Sequence, residues 1–560
     1  MLVTNPKSEQ QPLLRQLANA EEALAWLGAQ VSQTTPGQLR TDSRQVLPGD
    51  VFLAWPGAAQ DGRQHVGAAL HSGAVACLVE ADGAGAWGFN DPRVATLPSL
   101  KAAAGALAHA CNGKPSEALH LLAVTGTNGK TSTSWWLAQA LSALGTRCAV
   151  MGTLGVGEVR HAAAVAASSP ALQSTGLTTP DAVALHAALR VMREAGVQAC
   201  ALEASSIGIE EQRLNALHIE VALFTNLTQD HLDYHHTMAR YGAAKRRLFS
   251  WPGLRAAVVN IDDAFGARLA VQVNDELKDE VVDEVVDEVA DEVVDESRRG
   301  PLQLWTVALD GAPARLQGLQ LRYSHEGLTF DVQEAGGERA TVRSALVGRF
   351  NASNLLLVLG GLRAMGVPLQ AACAALATLQ PVPGRMQRVS VDADAHSDVE
   401  VVVDYAHTPD ALQQVLQALA PLAAARSGQL WCVVGCGGDR DSSKRPLMGA
   451  AAAHGAQQVV LTSDNPRSED PAHILQQMLA GLTGLTEGQQ RVLVIEDRRA
   501  AITHAVLSAA PGDVVLLAGK GHEQTQEVNG VKRPFSDEEE ARQALLQRAA
   551  ASTLHKVAAC

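Results

Sequence analysis

Residues 121–132 read Leu121-Leu-Ala-Val-Thr125-Gly-Thr-Asn-Gly-Lys130-Thr-Ser132. An apolar run enters a glycine-rich turn that ends in Lys-Thr, and the stretch from Trp135 to Leu144 that follows is compatible with a helix. Strand, loop and helix in that order predict a nucleoside-triphosphate loop. Successive backbone N–H groups face the phosphates, the Lys130 ammonium neutralises charge and the Thr131 hydroxyl holds Mg²⁺. A turn that only caps a helix needs neither the Lys-Thr pair nor the strand before it. The spacing is unusual, because only Thr127 and Asn128 separate Gly126 from Gly129, where the common loop has about four residues between its glycines.

The chain has 560 residues, beyond the size at which one core stops growing, so three domains are expected. Apolar residues make up 47% and aromatic residues only 4%, which fits a helix-rich α/β enzyme. No apolar run approaches the roughly 18 residues of a membrane span, and Met1-Leu-Val-Thr-Asn-Pro-Lys7 lacks the pattern of an export signal. A cytoplasmic protein without stable membrane insertion is expected. Its eight cysteines are scattered, and Cys432 with Cys436 has no second pair to complete a zinc site, so reduced and mostly buried thiols are expected.

The net charge of −14 is mostly local. Asp275 to Glu296 holds twelve acidic residues and one lysine, a net −11, which leaves −3 for the rest. Nothing favours a nucleic-acid partner, since no Lys/Arg-rich run with interleaved aromatics occurs. From Asp279 to Glu296 the pattern repeats every four residues, a period that matches neither a strand nor a strict helix. A helix there would set carboxylates against each other at i,i+4 and carry β-branched valines. A solvated insertion, disordered or partly helical, is expected; a partner-docking or metal-collecting element is the alternative.

Short apolar strands such as Val51–Ala54 and Ala74–Val79 give the first segment the look of a small α/β unit, closed by the turn-forming Cys111-Asn-Gly-Lys-Pro115. Strand-like runs follow at Ala199–Leu202, Val221–Phe224 and Ala256–Val259, spaced as in a mainly parallel sheet. After Pro381-Val-Pro-Gly384 a new alternation begins, with runs at 401–403, 430–434, 458–461, 492–495 and 514–517. It predicts a doubly wound sheet whose sites lie at the strand C-termini. The expected class is α/β in three domains: a small N-terminal α/β domain (1–116), a central phosphate-loop domain with a mainly parallel sheet (117–383, insertion at about 274–298) and a C-terminal Rossmann-like doubly wound domain (384–560).

Polar candidates fall directly after these runs. Glu203 follows Ala201-Leu202, and Asn226 to His231 follows Val221–Phe224, so Thr131, Glu203 and His231 offer donors suited to Mg²⁺ near a triphosphate. Further pieces are Glu203-Ala-Ser-Ser206, Thr225-Asn-Leu-Thr-Gln-Asp-His231-Leu-Asp233, Tyr241-Gly-Ala-Ala-Lys245, Phe350-Asn-Ala-Ser-Asn354, Gly384-Arg-Met-Gln387, Asp404-Tyr-Ala-His-Thr-Pro409 and Gly519-Lys-Gly-His-Glu523. In this order they resemble the Mur ligase family of ATP-dependent peptidoglycan-precursor ligases, from about Thr41 to Asp537, and the shortened loop is that family's own variant.

The resemblance implies that ATP phosphorylates the D-glutamate γ-carboxylate of UDP-N-acetylmuramoyl-L-alanyl-D-glutamate. The amine of meso-diaminopimelate then attacks the acyl phosphate, giving an amide, ADP and phosphate. It makes Lys130, Glu203, His231 and Lys245 the catalytic set. The Mg²⁺ ligands would be Thr131, Glu203, His231 and Lys245, the last as a carbamate derived from CO₂, which requires a neutral amine and so a depressed lysine pKa. ATP would lie against Thr125, Gly126, Thr127, Asn128, Gly129, Lys130, Thr131 and Ser132, with Asn351 and Asn354 near the adenine and Arg385 and Asp404 from the C-terminal domain. His407 lies in a matching motif without an assigned step.

For the nucleotide-sugar substrate the matching positions are Thr41, Ser43, Thr178, Thr179, Ser205 and Arg213, with Gly57–Gly62 in the same UDP region. Two positions depart from the family: Glu211 stands where a glutamine is common, and Leu177 where an asparagine can sit. A carboxylate at 211 facing an anionic substrate is expected to be unfavourable. For the amino acid the matches are Arg440, Asp464, Asn465, Pro466, Arg467, Gly519 and Glu523. Arg467 would grip the distal carboxylate of diaminopimelate in the bidentate manner that suits a guanidinium, and Glu523 would receive the distal ammonium.

A monomer is expected. A folylpolyglutamate synthase or a lysine-adding Mur ligase shares the architecture. The N-terminal unit argues against the first and Arg467 against the second. A nucleotide-dependent binding protein that docks partners through the acidic repeat is the reading outside enzymes.

Overall fold

The computed structural model describes residues 14–31, 37–57, 60–159, 172–283, 302–309, 311–324, 327–391, 398–482 and 491–558. They divide into two compact units, one drawn from 1–121, 147–158 and 170–220, the other from 122–146, 159–169 and 221–560.

The first unit holds a five-stranded sheet in the order Arg15–Gln16, Val94–Leu97, Ala76–Glu80, Val51–Ala54, Leu39–Arg40, all parallel. Alternation along its strands supplies two cores. Leu53 and Leu78 point to a cluster with Trp26, Leu100 and Leu107, while Phe52, Cys77 and Val79 point to one with Val66. The helix Leu100–Cys111 ends in the turn expected at 111–115, where Gly113 takes φ 68°. The same unit contains the parallel pair Cys148–Gly152 and Ala199–Glu203.

In the second unit the strand His120–Thr125 presents Leu122 opposite Val221 of Val221–Phe224, which pairs on its far edge with Ala256–Asn260, then Gln303–Ala308, then Leu316–Ser324. These are parallel, in keeping with the mainly parallel sheet expected, and Leu316–Ser324, Gly327–Glu334 and Arg339–Ser344 add an antiparallel meander at the edge. Leu328, Phe330, Val332 and Val342 are buried on one face of that meander. The other face is wet, and that one-sided alternation is what antiparallel pairing tolerates. The helix Lys130–Ala143 starts two residues before the loop ends and is buried along nearly its whole length.

The last third is the doubly wound sheet expected, in the order Gln387–Val389, Glu400–Asp404, Val514–Ala518, Leu430–Val434, Gln458–Leu461, Arg491–Val494, with only the first strand antiparallel. Val402, Cys432, Val434 and Leu516 pack under the helices Pro409–Ala425, Lys444–Gly455 and Pro471–Leu479, and Val401, Val403, Val433 and Leu517 face Arg498–Ser508 and the start of Asp537–Ala558. A continuous apolar run with both faces covered is the mark of a buried parallel strand. Beneath this sheet Arg498 and Asp537 form a fully buried pair, with Nε to Oδ1 at 2.7 Å and Nη2 to Oδ2 at 2.6 Å.

The helix Ala264–Asp283 carries the chain into the acidic repeat, whose residues 284–298 lie outside the described residues, as do 58–59 of the Gly57–Gly62 segment. Among the described cysteines only Cys111 is exposed. No helix among the described residues is long and apolar enough to cross a membrane.

Candidate active site

The loop after Thr125 is shaped by close approach. A side chain at Gly126, whose φ is 144°, would start 1.8 Å from Thr225 Oγ1, and one at Gly129, whose φ is 85°, would start 2.6 Å from Asn354 Oδ1. Only glycine permits both the backbone angles and the contacts. The segment after the neighbouring strand staples the loop in place. Thr225 Oγ1 donates to the Asn128 carbonyl at 2.6 Å, Asn128 N–H to Asn226 Oδ1 at 2.9 Å, and Thr228 N–H to Thr127 Oγ1 at 3.0 Å. Lys130 folds over the loop and donates to the carbonyls of Gly126 at 2.9 Å and Thr127 at 2.8 Å, while Ser132 is buried in the helix.

Lys245, on the helix Met238–Arg246, is only 1% exposed, and its Nζ reaches the Gly126 carbonyl at 2.7 Å. It lies 4.1 Å above the Tyr241 ring, whose hydroxyl donates to Thr127 Oγ1 at 3.2 Å. Burial, reinforced by the Lys130 charge, holds the Lys245 amine well below the usual lysine range. Burial likewise pushes His231 down to about 4 against the pull of Asp230, so its imidazole is neutral at pH 7. Asp230 is the hub of this side: burial opposes its charge, but the His407 hydrogen bond and its neighbours His231 and Lys444 hold it well below the carboxylate range. Lys444 Nζ stands 3.5 Å from it. His407, which has no step from sequence, is therefore a partner of the carboxylate adjoining His231.

Arg385 comes within 3.4 Å of Thr131 Oγ1, its guanidinium 4.3 Å over the Tyr405 ring. Asp404 accepts the N–H groups of Met386 and Ala406, both at 2.8 Å, and burial raises its pKa against the Arg385 charge. Asn351 and Asn354, a spacing common on helix surfaces, are both buried in the helix Arg349–Ala364. Thr131, Lys130, Asn354, Arg385 and Lys245 thus surround the one loop.

In the first unit Glu203 is buried and accepts Thr153 N–H at 2.7 Å and Thr153 Oγ1 at 3.1 Å. Thr153 in turn meets Thr178 Oγ1 at 3.2 Å, Thr179 Oγ1 donates to the Glu203 carbonyl at 2.7 Å and meets Ser205 Oγ at 2.9 Å, and Arg213 donates to the Thr179 carbonyl at 2.9 Å. Four residues expected at the muramoyl-peptide site therefore share one network. Sequence reasoning misses Thr153, which no motif marks. Thr41 and Ser43 lie on another stretch of this unit, beside the strand Leu39–Arg40 and in the turn Ser43–Gln45. Glu211 is ion-paired with Lys101, which cancels the charge that made a carboxylate here unfavourable. Leu177 is 46% exposed, so its apolar side chain displaces nothing from a core.

At the C-terminal strand ends, Asn465 Nδ2 donates to Glu523 Oε2 at 2.8 Å, and the Asp464 carboxylate lies 2.7 Å from where a Gly519 side chain would begin. Arg467 sits at φ 53° and donates to the Gly438 carbonyl at 2.7 Å, while Pro466 is buried beside it. Its backbone is clamped by Glu527 and Asn529 of the hairpin Thr525–Val528 and Val531–Pro534. Arg440 is exposed, with one guanidinium nitrogen on the Asp439 carbonyl at 2.9 Å.

Residues 124–361 match the family described as the Mur ligase middle domain and 384–521 that described as the Mur ligase, glutamate ligase domain. The chain is 49% identical over 542 residues to the UDP-N-acetylmuramoyl-L-alanyl-D-glutamate--2,6-diaminopimelate ligase of Acidovorax sp. (strain JS42), covering 96% of this chain and 99% of that one. The chain belongs to the Mur ligase family. This Mur ligase also resembles a solved structure of a UDP-N-acetylmuramoyl-L-alanyl-D-glutamate--2,6-diaminopimelate ligase, at 36% identity and a TM-score of 0.59 over 92% of this chain and 95% of the other. The ligase MurF of Thermotoga maritima in complex with ADP shares the fold, with a TM-score of 0.57 at 17% identity over 92% of this chain and 98% of that one. As a Mur ligase the chain is an ATP-dependent amide-forming enzyme of α/β architecture.

Proposed function

We propose that this Mur ligase joins diaminopimelate, in its meso form, to the D-glutamate γ-carboxylate of UDP-N-acetylmuramoyl-L-alanyl-D-glutamate at the expense of ATP. The observation that carries the choice of amino acid is the pocket at the C-terminal strand ends, where Asn465 and Glu523 are hydrogen-bonded to each other and Arg467 stands on the same loop as Asn465. An ammonium finds a carboxylate there and a distal carboxylate a guanidinium, the two groups that end diaminopimelate.

A carboxylate and an amine do not condense at neutral pH, so the γ-carboxylate takes the terminal phosphoryl group of ATP first and the amine displaces phosphate from the acyl phosphate. The loop N–H groups, Lys130 and Arg385 bear on the phosphate oxygens where charge develops during transfer. Lys130, which holds the carbonyls of Gly126 and Thr127, would exchange them for a phosphate. Thr178, Thr179, Ser205 and Arg213 hold the muramoyl peptide, and Thr41 and Ser43 the uridine diphosphate.

The chemistry of the donors fits Mg²⁺. His231 is neutral, and Lys245 has the depressed amine that carbamate formation needs. On the family's motifs Thr131, His231 and Lys245, the last as a carbamate, would hold the ion, with Glu203 keeping the role its motif gives it. When bound, Mg²⁺ supplies neutralisation of the phosphate oxygens. The reading places the enzyme in the cytoplasm, working as a monomer in three domains split near 116 and 383. The deciding measurement is phosphate release with UDP-N-acetylmuramoyl-dipeptide and either meso-diaminopimelate or L-lysine. Release is expected only when all substrates are present and to favour diaminopimelate, and a preference for lysine would overturn the reading.

A further inference from the structure

Between Gly519 and Glu523 lies Lys520, a fully buried lysine that no part of the reaction uses. We propose that Lys520 is the residue that sets selectivity at the distal end of the amino-acid pocket, by neutralising Glu523 so that an ammonium alone gains little there and a substrate must bring a carboxylate as well. The proposal rests on the reading of that pocket given above.

A buried ammonium must be paired, and Lys520 has three donors to place. One goes to Glu523 Oε2 at 2.8 Å and one to Asn465 Oδ1 at 3.1 Å. Asn465 closes the ring, because its Nδ2 donates to the same Glu523 oxygen at 2.8 Å while its Oδ1 also accepts the Glu527 N–H at 3.0 Å. One oxygen of Glu523 is therefore filled by two donors, and its charge is offset by a neighbour that cannot leave. A second carboxylate, Asp464, stands beside Gly519, but the Lys520 ammonium is bonded to Glu523 and Asn465. The second buried cation, Arg498, is cancelled by Asp537 and spends its remaining donors on the carbonyls of Ser463 and Ala518, just before Asp464 and Gly519.

A substrate that ends in an ammonium alone meets a carboxylate already neutralised and leaves Arg467 without an anion, so it gives up its hydration for little return. Diaminopimelate brings a carboxylate to Arg467 as well, and that second contact is the difference between the two affinities. Lys520 acts through Glu523 and Asn465 and is a positioning residue, outside the reacting atoms.

The test uses the full chain with saturating ATP and UDP-N-acetylmuramoyl-dipeptide, comparing kcat/KM for meso-diaminopimelate and L-lysine. Lys520→Met bares Glu523 to any ammonium, so the ratio of the two is expected to narrow at least tenfold, chiefly through a lower KM for lysine, while the KM values for ATP and the nucleotide substrate stay put. Lys520→Arg, which keeps the charge, is expected to keep the preference. Glu523→Gln leaves the Lys520 ammonium unbalanced and is expected to raise KM for both amino acids at least tenfold, whereas Lys520→Met with Glu523→Gln is expected to be less impaired than Glu523→Gln alone. A folded Lys520→Met with an unchanged ratio, or a double variant whose losses simply add, overturns the proposal. If Lys520→Met does not fold, as thermal unfolding would show, Glu523→Gln decides by itself, and an unaltered KM overturns it. A wild-type enzyme that prefers lysine, or turns over neither amino acid, sinks the reading of the pocket instead.

Discussion

A single buried amine shows how the phosphate loop is tuned. Lys245 is removed from water, rests on the Gly126 carbonyl and the Tyr241 ring, and has Lys130 as a cationic neighbour. Burial and the Lys130 charge favour the uncharged amine and outweigh the carbonyl and the ring, which suit a cation, and the uncharged amine is the state that adds to CO₂. Lys245→Ala should lose activity by at least a hundredfold, and bicarbonate with short carboxylic acids should restore a measurable part of it, because a small carboxylate fits the vacated space. Failure of every such acid to rescue the variant, with ATP binding intact by calorimetry, would remove the carbamate from the mechanism. The motif Tyr241 to Lys245 and, through the resemblance, a depressed amine were legible in the sequence, but not the burial and contacts that depress it. The contact to Gly126 spans 119 positions, and composition alone reads Lys245-Arg-Arg247 as a basic surface run.

Elements tell a different story, because each buried strand announces itself as an apolar run. Val51–Ala54, Val221–Phe224, Leu430–Val434 and Gln458–Leu461 form where the sequence predicts them. The meander from Leu316 to Ser344 does not announce itself, since one wet face breaks its runs into alternation and Gly318 and Gly327 interrupt it. The helix Asp537–Ala558 is anchored at its first residue by the Arg498 pair, and this anchor is where element and site meet. Arg498→Ala leaves a buried carboxylate unpaired and should cost about 3–5 kcal/mol. Chemical denaturation followed by the fluorescence of Trp431, in the core beside that helix, would read it. Replacing both partners, Arg498→Leu with Asp537→Leu, should recover most of the loss, and a double variant no better than Arg498→Ala would show that the pair is not the cause.

On the scale of the whole molecule, most of the proposed site residues directly follow strands, and the largest departure from ordinary composition is the acidic repeat. The acidic repeat extends from the helix Ala264–Asp283, whose apolar face includes the buried Leu269 and Val273. If the repeat is the solvated insertion its sequence predicts, its charges are screened within about 8 Å at physiological salt and add little to catalysis. Deleting residues 275–296 should leave kcat and all KM values within about twofold, and a dead but folded deletion would assign the segment to the enzyme's chemistry. What the sequence conveyed at this scale was the order of motifs, which is contiguous information. What it withheld was partnership: Glu211 looked like a misplaced charge until Lys101 appeared beside it, and Asp230 had no role in its motif until His407 and Lys444 converged on it.

The Arg498 pair has one more consequence, for proteolysis. Every residue assigned to a substrate precedes position 524, so a cut in the exposed hairpin tip around Asn529-Gly530 would spare them all in the primary chain. It would nonetheless detach Asp537 from the chain that carries Arg498, and with it the brace under the carbonyls of Ser463 and Ala518. A nicked enzyme held together only by packing should therefore lose its grip on the amino acid before it loses its nucleotide, which makes the order of those two losses during limited digestion a readout of how far the last helix supports the pocket above it.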